Sequence, residues 1–243
     1  EKVLPEKGIV SDKHTSGYGP RGTTTKGLVL DGVQVELNPN PNTCRGNLGN
    51  EIASAFRALK THLESMENVT ASFSTVITVD KKELASLSDK AKLLGCEPSK
   101  NAYGKDATIT VDATTYRKRS AGGHIHLGLP ALTKPYAERL VPLLDIMLGN
   151  TCVMIDRDSH AAERRKLYGR AGEYRLPEHG LEYRTLSKFW LRAVPLASFV
   201  WGMARVCHNV LYTTVWHKKH PNSCFDAEAA LLKGIDMAAI QDA

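Results

Sequence analysis

The sequence lacks the motifs that identify several common kinds of site. Its five cysteines are widely spaced and include no Cys-x-x-Cys pair, which argues against a structural zinc site and against a disulfide framework. Their odd number favours a reducing compartment, and we expect a cytoplasmic protein. No Gly-x-x-x-x-Gly-Lys-Ser/Thr sequence occurs, so a P-loop that cradles nucleotide phosphates is not supported.

The sequence also lacks long uninterrupted runs of basic or of apolar residues. The formal net charge is +6, yet the chain has no Lys/Arg-rich run and no interleaved aromatic stripe, so a nucleic-acid partner is not favoured. The surplus charge would equally attract an anionic small substrate such as a nucleoside triphosphate. The longest apolar stretch, residues 194–216, contains Arg205, His208 and Asn209, which a bilayer would penalise. It predicts a buried helix and no membrane partner.

Hydrophobic periodicity predicts an α+β domain over residues 1–243, with a mainly antiparallel sheet and a helical C-terminal part at 187–243. Alternating or β-rich stretches predict strands at 28–38, 71–79, 107–111, 122–127, 152–155, 174–175 and 181–186. Helical spacing and capping signals predict helices at 47–67, 80–95, 135–149, 159–167 and from 187 onward. Pro142 is expected to kink or split its helix, with further interruptions near Pro195 and Pro221. Residues 1–27 and 96–105 are predicted to be loops.

The segment Gly122–Gly128, Gly-Gly-His-Ile-His-Leu-Gly, is the most informative part of the chain. In a strand, residues two apart project from the same face, so His124 and His126 should lie side by side while Ile125 and Leu127 face a core. Imidazole is a common metal ligand. A His-x-His pair by itself is more often two half-exposed histidines on a solvated strand, so a metal site here depends on what lies beside it.

The stretch Leu181-Glu182-Tyr183-Arg184 has the same alternation. Glu182 and Arg184 share one face. A carboxylate beside a guanidinium is either an ordinary ion pair, worth under about 1 kcal/mol when exposed, or a metal ligand beside a phosphate-binding fork. Glu36 is a third charged residue on the polar face of a predicted strand, and on its own it is an ordinary strand glutamate.

Arginines cluster around residues 164–175. Arg170 and Arg175 lie beside two glycines, and Arg164 and Arg165 precede them. One interpretation is a solvated basic loop. The other is a cluster that binds phosphates and stabilises the charge that develops in phosphoryl transfer.

Five segments, taken in order, resemble the carboxylate–amine ligases with a glutamine-synthetase-like fold, of the type called phiEco32-like amidoligases (COOH–NH2 ligase type 2). The segments are residues 31–36, 94–103, 122–128, 167–175 and 180–190. Each segment alone is weak evidence for the family, whereas five segments in the family's order are specific to it. The resemblance implies a curved, mainly antiparallel β-sheet backed by helices.

The resemblance also implies a site that uses ATP and Mg2+. The implied metal ligands are Glu36, His124 and Glu182, and His126 would contact a phosphate or the outer shell of the metal. The implied phosphate-binding and catalytic residues are Arg184, Arg170 and Arg175. Because histidine is an uncommon ligand of Mg2+, Mn2+ could substitute.

A ligase of this kind would join a small-molecule carboxylate to an amine through an acyl phosphate, in the host cytoplasm if a phage encodes it. It could also form a homo-oligomer or join a phage assembly. The family's first acidic motif, Gly-x-Asp-Pro-Glu, is missing before Lys2-Val-Leu-Pro-Glu6, and we expect the chain to lack its first strand.

Two alternatives stay open. The missing motif suggests a non-catalytic structural or interaction protein of a phage particle that uses the same fold. The second is a zinc hydrolase built on His124, His126 and Glu182, against which the arginine surplus argues.

Overall fold

The computed structural model describes residues 28–31, 34–64, 71–87, 92, 99–104, 112, 115–129 and 133–219. Several predictions lie outside these residues: the loop at 1–27, the strand at 107–111, the helix end near Gly95 and the interruption near Pro221. None of the helices within the described ranges is long and apolar enough to cross a membrane.

The described chain contains eight strands and six α-helices. The strands are β1 (Leu28–Asp31), β2 (Gln34–Leu37), β3 (Val76–Thr78), β4 (Lys100–Asn101), β5 (Lys118–Ser120), β6 (Ile125–Gly128), β7 (Glu173–Arg175) and β8 (Gly180–Tyr183). The helices are α1 (Arg45–Glu64), α2 (Lys81–Ser86), α3 (Lys134–Leu144), α4 (Asn150–Ile155), α5 (Ala161–Leu167) and α6 (Val194–Lys219). A π-helical turn, Asp145–Gly149, joins α3 to α4, and a 3-10 helix, Lys188–Arg192, precedes α6.

The chain divides into two compact units. The first contains the antiparallel hairpin β1–β2, helices α1, α2 and α5, and the antiparallel pair β3–β5. Helix α1 confirms the predicted helix, and its half-buried apolar side chains lie on the expected stripe. Asp80 caps α2 as predicted, because its carboxylate accepts hydrogen bonds from the backbone N–H groups of Lys82 and Glu83.

The second unit contains a four-stranded antiparallel sheet in the order β4-β7-β8-β6. Its core consists of buried apolar side chains from α3, the π-helical turn and α6, packed on Tyr174, Leu181 and Tyr183 of the two central strands. Strand β8 is buried along its whole length. The predicted pairing of the strands at 174–175 and 181–186 is confirmed, with Arg175 opposite Glu182.

Gly180, the first residue of β8, lies where β8 approaches the backbone of β6. This residue has a φ of +142°, and a Cβ there would lie 2.2 Å from the carbonyl oxygen of Leu127 and 2.6 Å from the amide nitrogen of Leu129. No side chain fits that space, because the obstacles are backbone atoms. Gly180 therefore allows β8 to lie directly against β6.

Four predictions of local structure are wrong. The strand predicted at 28–38 is the hairpin β1–β2, whose four β2 residues are all half-buried rather than alternating. The helix predicted at 80–95 is interrupted, because α2 ends at Ser86 and Leu87 is extended, although Lys92 is helical again. The loop predicted at 96–105 contains the short strand β4, which pairs with β7.

The fourth wrong prediction is the strand at residues 152–155, which belong to helix α4. Helix α3 begins as predicted, with Pro135 in its first turn, and it is not split at Pro142. The helix changes from α-helical to π-helical geometry three residues later, at Asp145. A short apolar run does not distinguish a buried strand from a helix, which explains the error.

The α+β class is confirmed. The described strands form three small antiparallel sheets, and the predicted glutamine-synthetase-like fold stays a prediction.

Cys44, Cys152 and Cys207 are free thiols.

Asp145, at the start of the π-helical turn, connects the helices of the core to the sheet through hydrogen bonds. Its carboxylate is 4% exposed. One oxygen accepts hydrogen bonds from the Tyr103 hydroxyl at 2.9 Å and the Gly172 amide at 2.6 Å. The other accepts from the hydroxyls of Tyr183 at 2.5 Å and Thr185 at 3.3 Å. Burial raises the pKa of Asp145, although these four hydrogen bonds favour the charged form.

Asp145→Asn is expected to lower the free energy of unfolding by about 1–3 kcal/mol, because an amide nitrogen cannot accept the hydrogen bonds that a carboxylate oxygen does. Urea unfolding followed by circular dichroism measures this change. Asp112→Asn, at an exposed position, is the control and should change stability by less than about 0.5 kcal/mol. Equal stability of the two variants would mean that the Asp145 network does not stabilise the fold.

Candidate active site

The register of the four-stranded sheet brings the predicted residues of two separate segments together. Glu182 on β8 lies opposite His126 of β6 on one side and opposite Arg175 of β7 on the other. His124, just before β6, and Arg184, just after β8, project toward the same carboxylate. Side chains directly opposite each other in a sheet lie within contact distance. The buried Glu182 therefore has two histidines and two arginines as neighbours.

The Glu182 carboxylate is 1% exposed and has close ionic partners. Its Oε2 accepts a hydrogen bond from Nε of Arg175 at 2.8 Å, and the terminal nitrogen of that guanidinium lies at 2.6 Å. Its Oε1 lies 3.0 Å from Nδ1 of His124 and 3.3 Å from Nε of Arg184. The arrangement stabilises a charged carboxylate in a place where water does not reach it.

These contacts determine the protonation state of Glu182. Burial alone would raise the pKa of its carboxyl group. The contact with His124 and the favourable electrostatic interactions with His124, His126 and Arg175 outweigh burial and hold the pKa well below its usual range. Glu182 is therefore an anion at every physiological pH.

The position of His124 is fixed by the residue before it. The Gly123 amide donates to the Leu186 carbonyl at 3.0 Å, and the Trp190 indole donates to the Gly123 carbonyl at 3.2 Å. A Cβ on Gly123 would lie 2.5 Å from the indole nitrogen and 2.7 Å from the Ser187 carbonyl oxygen. Only glycine fits, so the 3-10 helix after β8 fixes the backbone that presents His124.

His126 is the exposed member of the group, and His179 lies beside it. Nδ1 of His126 is 3.0 Å from Nε2 of His179, and the two ring planes lie within 23° of parallel with their centroids 5.2 Å apart. His179 belongs to the turn between β7 and β8. No local pattern predicts this contact, because it joins residues 53 positions apart.

The residues His124, His126 and Glu182 form a candidate metal site. One ligand atom from each lies within 4.8 Å of the others. Two ligands on one metal, with bonds of about 2.0–2.2 Å, are at most about 4.4 Å apart, so this spacing is close to that of a bound site. Within the described part of the chain no donor makes a well-aligned hydrogen bond to the buried Oε1 of Glu182, although His124 and Arg184 lie at ion-pair distance. This oxygen and the imidazole nitrogens suit a divalent transition metal.

The three predicted arginines differ in their surroundings. Arg175 is 22% exposed at its side chain and pairs with Glu182, whereas the Arg184 side chain is fully buried and also donates to the Ser99 hydroxyl at 2.8 Å. Arg170 pairs with another carboxylate, because its Nε lies 2.7 Å from Oε1 of Glu173.

The remaining predicted residues lie in the first unit. Glu36 is half-buried on β2, opposite Val29 of β1. Arg164 is 1% exposed on α5, with its guanidinium 4.7 Å from the ring centre of Tyr168, and Arg165 follows it. Their suggested roles stay predictions.

Sequence reasoning missed Glu173, which orients Arg170. Glu173 is 3% exposed, and its second oxygen accepts a hydrogen bond from the Gly169 amide at 2.8 Å. The signal was present in the sequence, since Arg170 and Glu173 are three residues apart in a glycine-rich turn, where a short ionic contact closes easily.

A comparison with protein families gives a match over much of the second unit's sequence. The family model described as phage phiEco32-like COOH.NH2 ligase-type 2 matches residues 97–231, more than half of the chain, and this range includes His124, His126, Arg175 and Glu182. Searches of curated proteins and of solved structures found no match. On the strength of the family match, the chain belongs to the phage phiEco32-like COOH.NH2 ligase-type 2 family, whose name denotes enzymes that join a carboxylate to an amine.

Proposed function

We propose that this protein is an ATP-dependent ligase that forms an amide bond between a small-molecule carboxylate and an amine, with Mg2+ or Mn2+ as cofactor. The observation that carries the proposal is the cluster around Glu182, in which two imidazoles and two guanidiniums surround one buried carboxylate in a member of a ligase family. Such a cluster combines metal ligands with the positive charge that phosphoryl transfer requires.

The chemistry explains why ATP is needed. A carboxylate does not react with an amine at neutral pH, because oxide is a poor leaving group. In the first step a carboxylate oxygen attacks the γ-phosphorus of ATP, and ADP leaves. In the second step the amine nitrogen attacks the acyl carbon, phosphate leaves with the former carboxylate oxygen, and the nitrogen loses a proton. Both steps gather negative charge, which cationic side chains stabilise.

Each residue of the cluster has a proposed role. Glu182, His124 and His126 would hold the metal, which when bound would neutralise phosphate charge. Arg175 would contact phosphate, because its guanidinium is partly exposed. Arg184 is fully buried against Glu182, so its first role would be to keep that carboxylate charged and oriented. Arg170, held by Glu173, would provide a further cation for phosphate or for the acyl-phosphate transition state.

The ligand atoms bear on the identity of the metal. Two imidazole nitrogens are softer donors than the oxygen ligands that Mg2+ prefers. Mn2+ accepts both kinds of ligand, so it is expected to bind more tightly than Mg2+ at this cluster.

Hydroxylamine provides a test that does not require the natural amine. With ATP, Mn2+ and a panel of carboxylates, the protein should convert its acid substrate to a hydroxamate and release one ADP and one phosphate for each product. When the acid carries 18O in its carboxylate, the released phosphate should contain one 18O atom, since that oxygen leaves with phosphate.

His124→Ala should lower hydroxamate formation at least about 100-fold, by analogy with the loss of a group that acts on the transition state. His160→Ala is the matched control, because His160 is an exposed histidine that does not belong to the cluster. Hydrolysis of substrate without ATP, with tightly bound zinc, would support the zinc hydrolase instead. A protein that binds no nucleotide, yet purifies in a fixed assembly, would support the structural alternative.

A further inference from the structure

His126 differs from the other members of the cluster because its side chain is exposed. An exposed histidine on a strand samples several rotamers, and fixing one of them costs free energy when a ligand binds. Glu182, by contrast, is held by buried ionic contacts. A residue that fixes the ring of His126 before a ligand binds would lower that cost.

His179 lies in the right place and is itself held firmly. Its carbonyl accepts a hydrogen bond from the Leu129 amide at 3.0 Å, directly after β6. The next residue, Gly180, is packed against the backbone of Leu127 and donates its amide to the Pro177 carbonyl at 2.9 Å. The backbone that follows the His179 side chain is thus tied to the strand that carries His126.

The contact between the two rings has a defined geometry. Nδ1 of His126 and Nε2 of His179 are 3.0 Å apart, the distance of an N–H···N hydrogen bond, and the rings are within 23° of parallel. Such a bond contains one proton, which belongs to one of the two nitrogens. If the proton is on Nδ1 of His126, the lone pair of that ring is on Nε2, the nitrogen that can then ligate a metal.

We propose that His179 is a positioning residue for His126: it accepts a hydrogen bond from Nδ1 of His126, which fixes the orientation of that ring and keeps the lone pair on Nε2 for the metal. Metal-bound histidines commonly donate their second N–H to an acceptor that orients the ring. In this chain the acceptor is an imidazole from the β7–β8 turn. The metal-binding part of this inference rests on the proposed function, whereas the hydrogen bond and tautomer do not.

The first measurement uses the metal-free protein. Two-dimensional 15N–1H spectra that distinguish the two ring nitrogens should show His126 protonated at Nδ1 in the wild type. In His179→Ala the proton should move toward Nε2, the form that free histidine prefers. In His179→Gln the Nδ1 form should be retained, because the glutamine side-chain oxygen can replace Nε2 as acceptor.

The second measurement is the affinity for Mn2+ alone, followed by electron paramagnetic resonance. His179→Ala should bind Mn2+ about 10–100-fold more weakly than the wild type, and His179→Gln should recover most of the loss. Circular dichroism and urea unfolding show whether each variant is folded, and the glutamine variant keeps the test valid if the alanine variant is not.

Protonation of wild-type His126 at Nε2, or equal Mn2+ affinity in folded His179→Ala and wild type, would overturn the inference. Expected tautomers in all three proteins, together with a wild type that binds no Mn2+, would instead overturn the metal part of the proposed function. The orientation of His126 by His179 would then stand as a property of the sheet.

Discussion

Glu182→Gln is expected to abolish measurable Mn2+ binding and to lower the free energy of unfolding by about 3–5 kcal/mol, the cost of removing one partner from a buried ionic contact. The carboxylate is 1% exposed, and it pairs with the fully buried guanidinium of Arg184. Glutamine has nearly the same shape but no charge. It would leave the guanidiniums of Arg175 and Arg184 without their anion while presenting an amide nitrogen to one of the cationic or imidazole groups.

The loss of stability would be large relative to the total, because domains are commonly stable by only about 5–15 kcal/mol. Urea unfolding measures the stability, and calorimetric titration with Mn2+ measures the binding at a temperature where the variant is folded. Glu178→Gln is the matched control, since Glu178 is an exposed glutamate four residues earlier in the β7–β8 turn. It should leave stability within about 0.5 kcal/mol of the wild type.

Two results would contradict this view of Glu182. A Glu182→Gln variant as stable as the control would mean that the ionic cluster does not stabilise the sheet. A folded variant that binds Mn2+ with wild-type affinity would mean that the metal ligands lie elsewhere.

Local pattern was sufficient to find the members of this cluster but not their arrangement. The period of two in a strand placed His124 and His126 on one face, and the same rule placed Glu182 with Arg184. The structure brings both pairs together. The register that sets His126 opposite Glu182 joins strands more than 50 residues apart, and no periodicity within either strand encodes it. The family resemblance of the five ordered segments implied that His124, His126 and Glu182 serve one site, but it implied no register between their strands.

The wrong prediction at residues 152–155 has a physical origin. Residues 152–155 are apolar over a stretch as short as a buried strand, yet they continue a helix through a π-helical turn. The π-helical turn begins at Asp145, whose buried carboxylate accepts hydrogen bonds from Tyr103, Gly172, Tyr183 and Thr185. A buried acid with four distant partners is a property of tertiary structure. In the sequence it is a single aspartate in a helical stretch.

Metal and nucleotide are expected to bind the cluster cooperatively. With neutral histidines, the groups in contact with Glu182 carry two positive charges from Arg175 and Arg184 against its own single negative charge. A divalent cation entering alone would add to a site that is already cationic, and the cost of that repulsion is high in a buried environment. The phosphates of ATP would reverse the balance. Each ligand should therefore strengthen the binding of the other.

The expected size of the effect is about a 5–150-fold increase in Mn2+ affinity when a non-hydrolysable ATP analogue is present, equivalent to about 1–3 kcal/mol of coupling. Titration of Mn2+ followed by electron paramagnetic resonance measures it, after the Mn2+ held by free analogue in solution is subtracted. Since coupling between two binding equilibria is reciprocal, the analogue should gain the same factor from Mn2+.

Arg175→Met tests the electrostatic origin of this coupling, because methionine keeps an apolar stem at a partly exposed position and removes one charge. Mn2+ alone should then bind more tightly than in the wild type, and the nucleotide analogue alone should bind more weakly. These opposite shifts follow only if the same charge repels the metal and attracts the phosphates. If both ligands weaken together, Arg175 acts by holding Glu182 in place, and the cooperativity has a structural rather than an electrostatic cause.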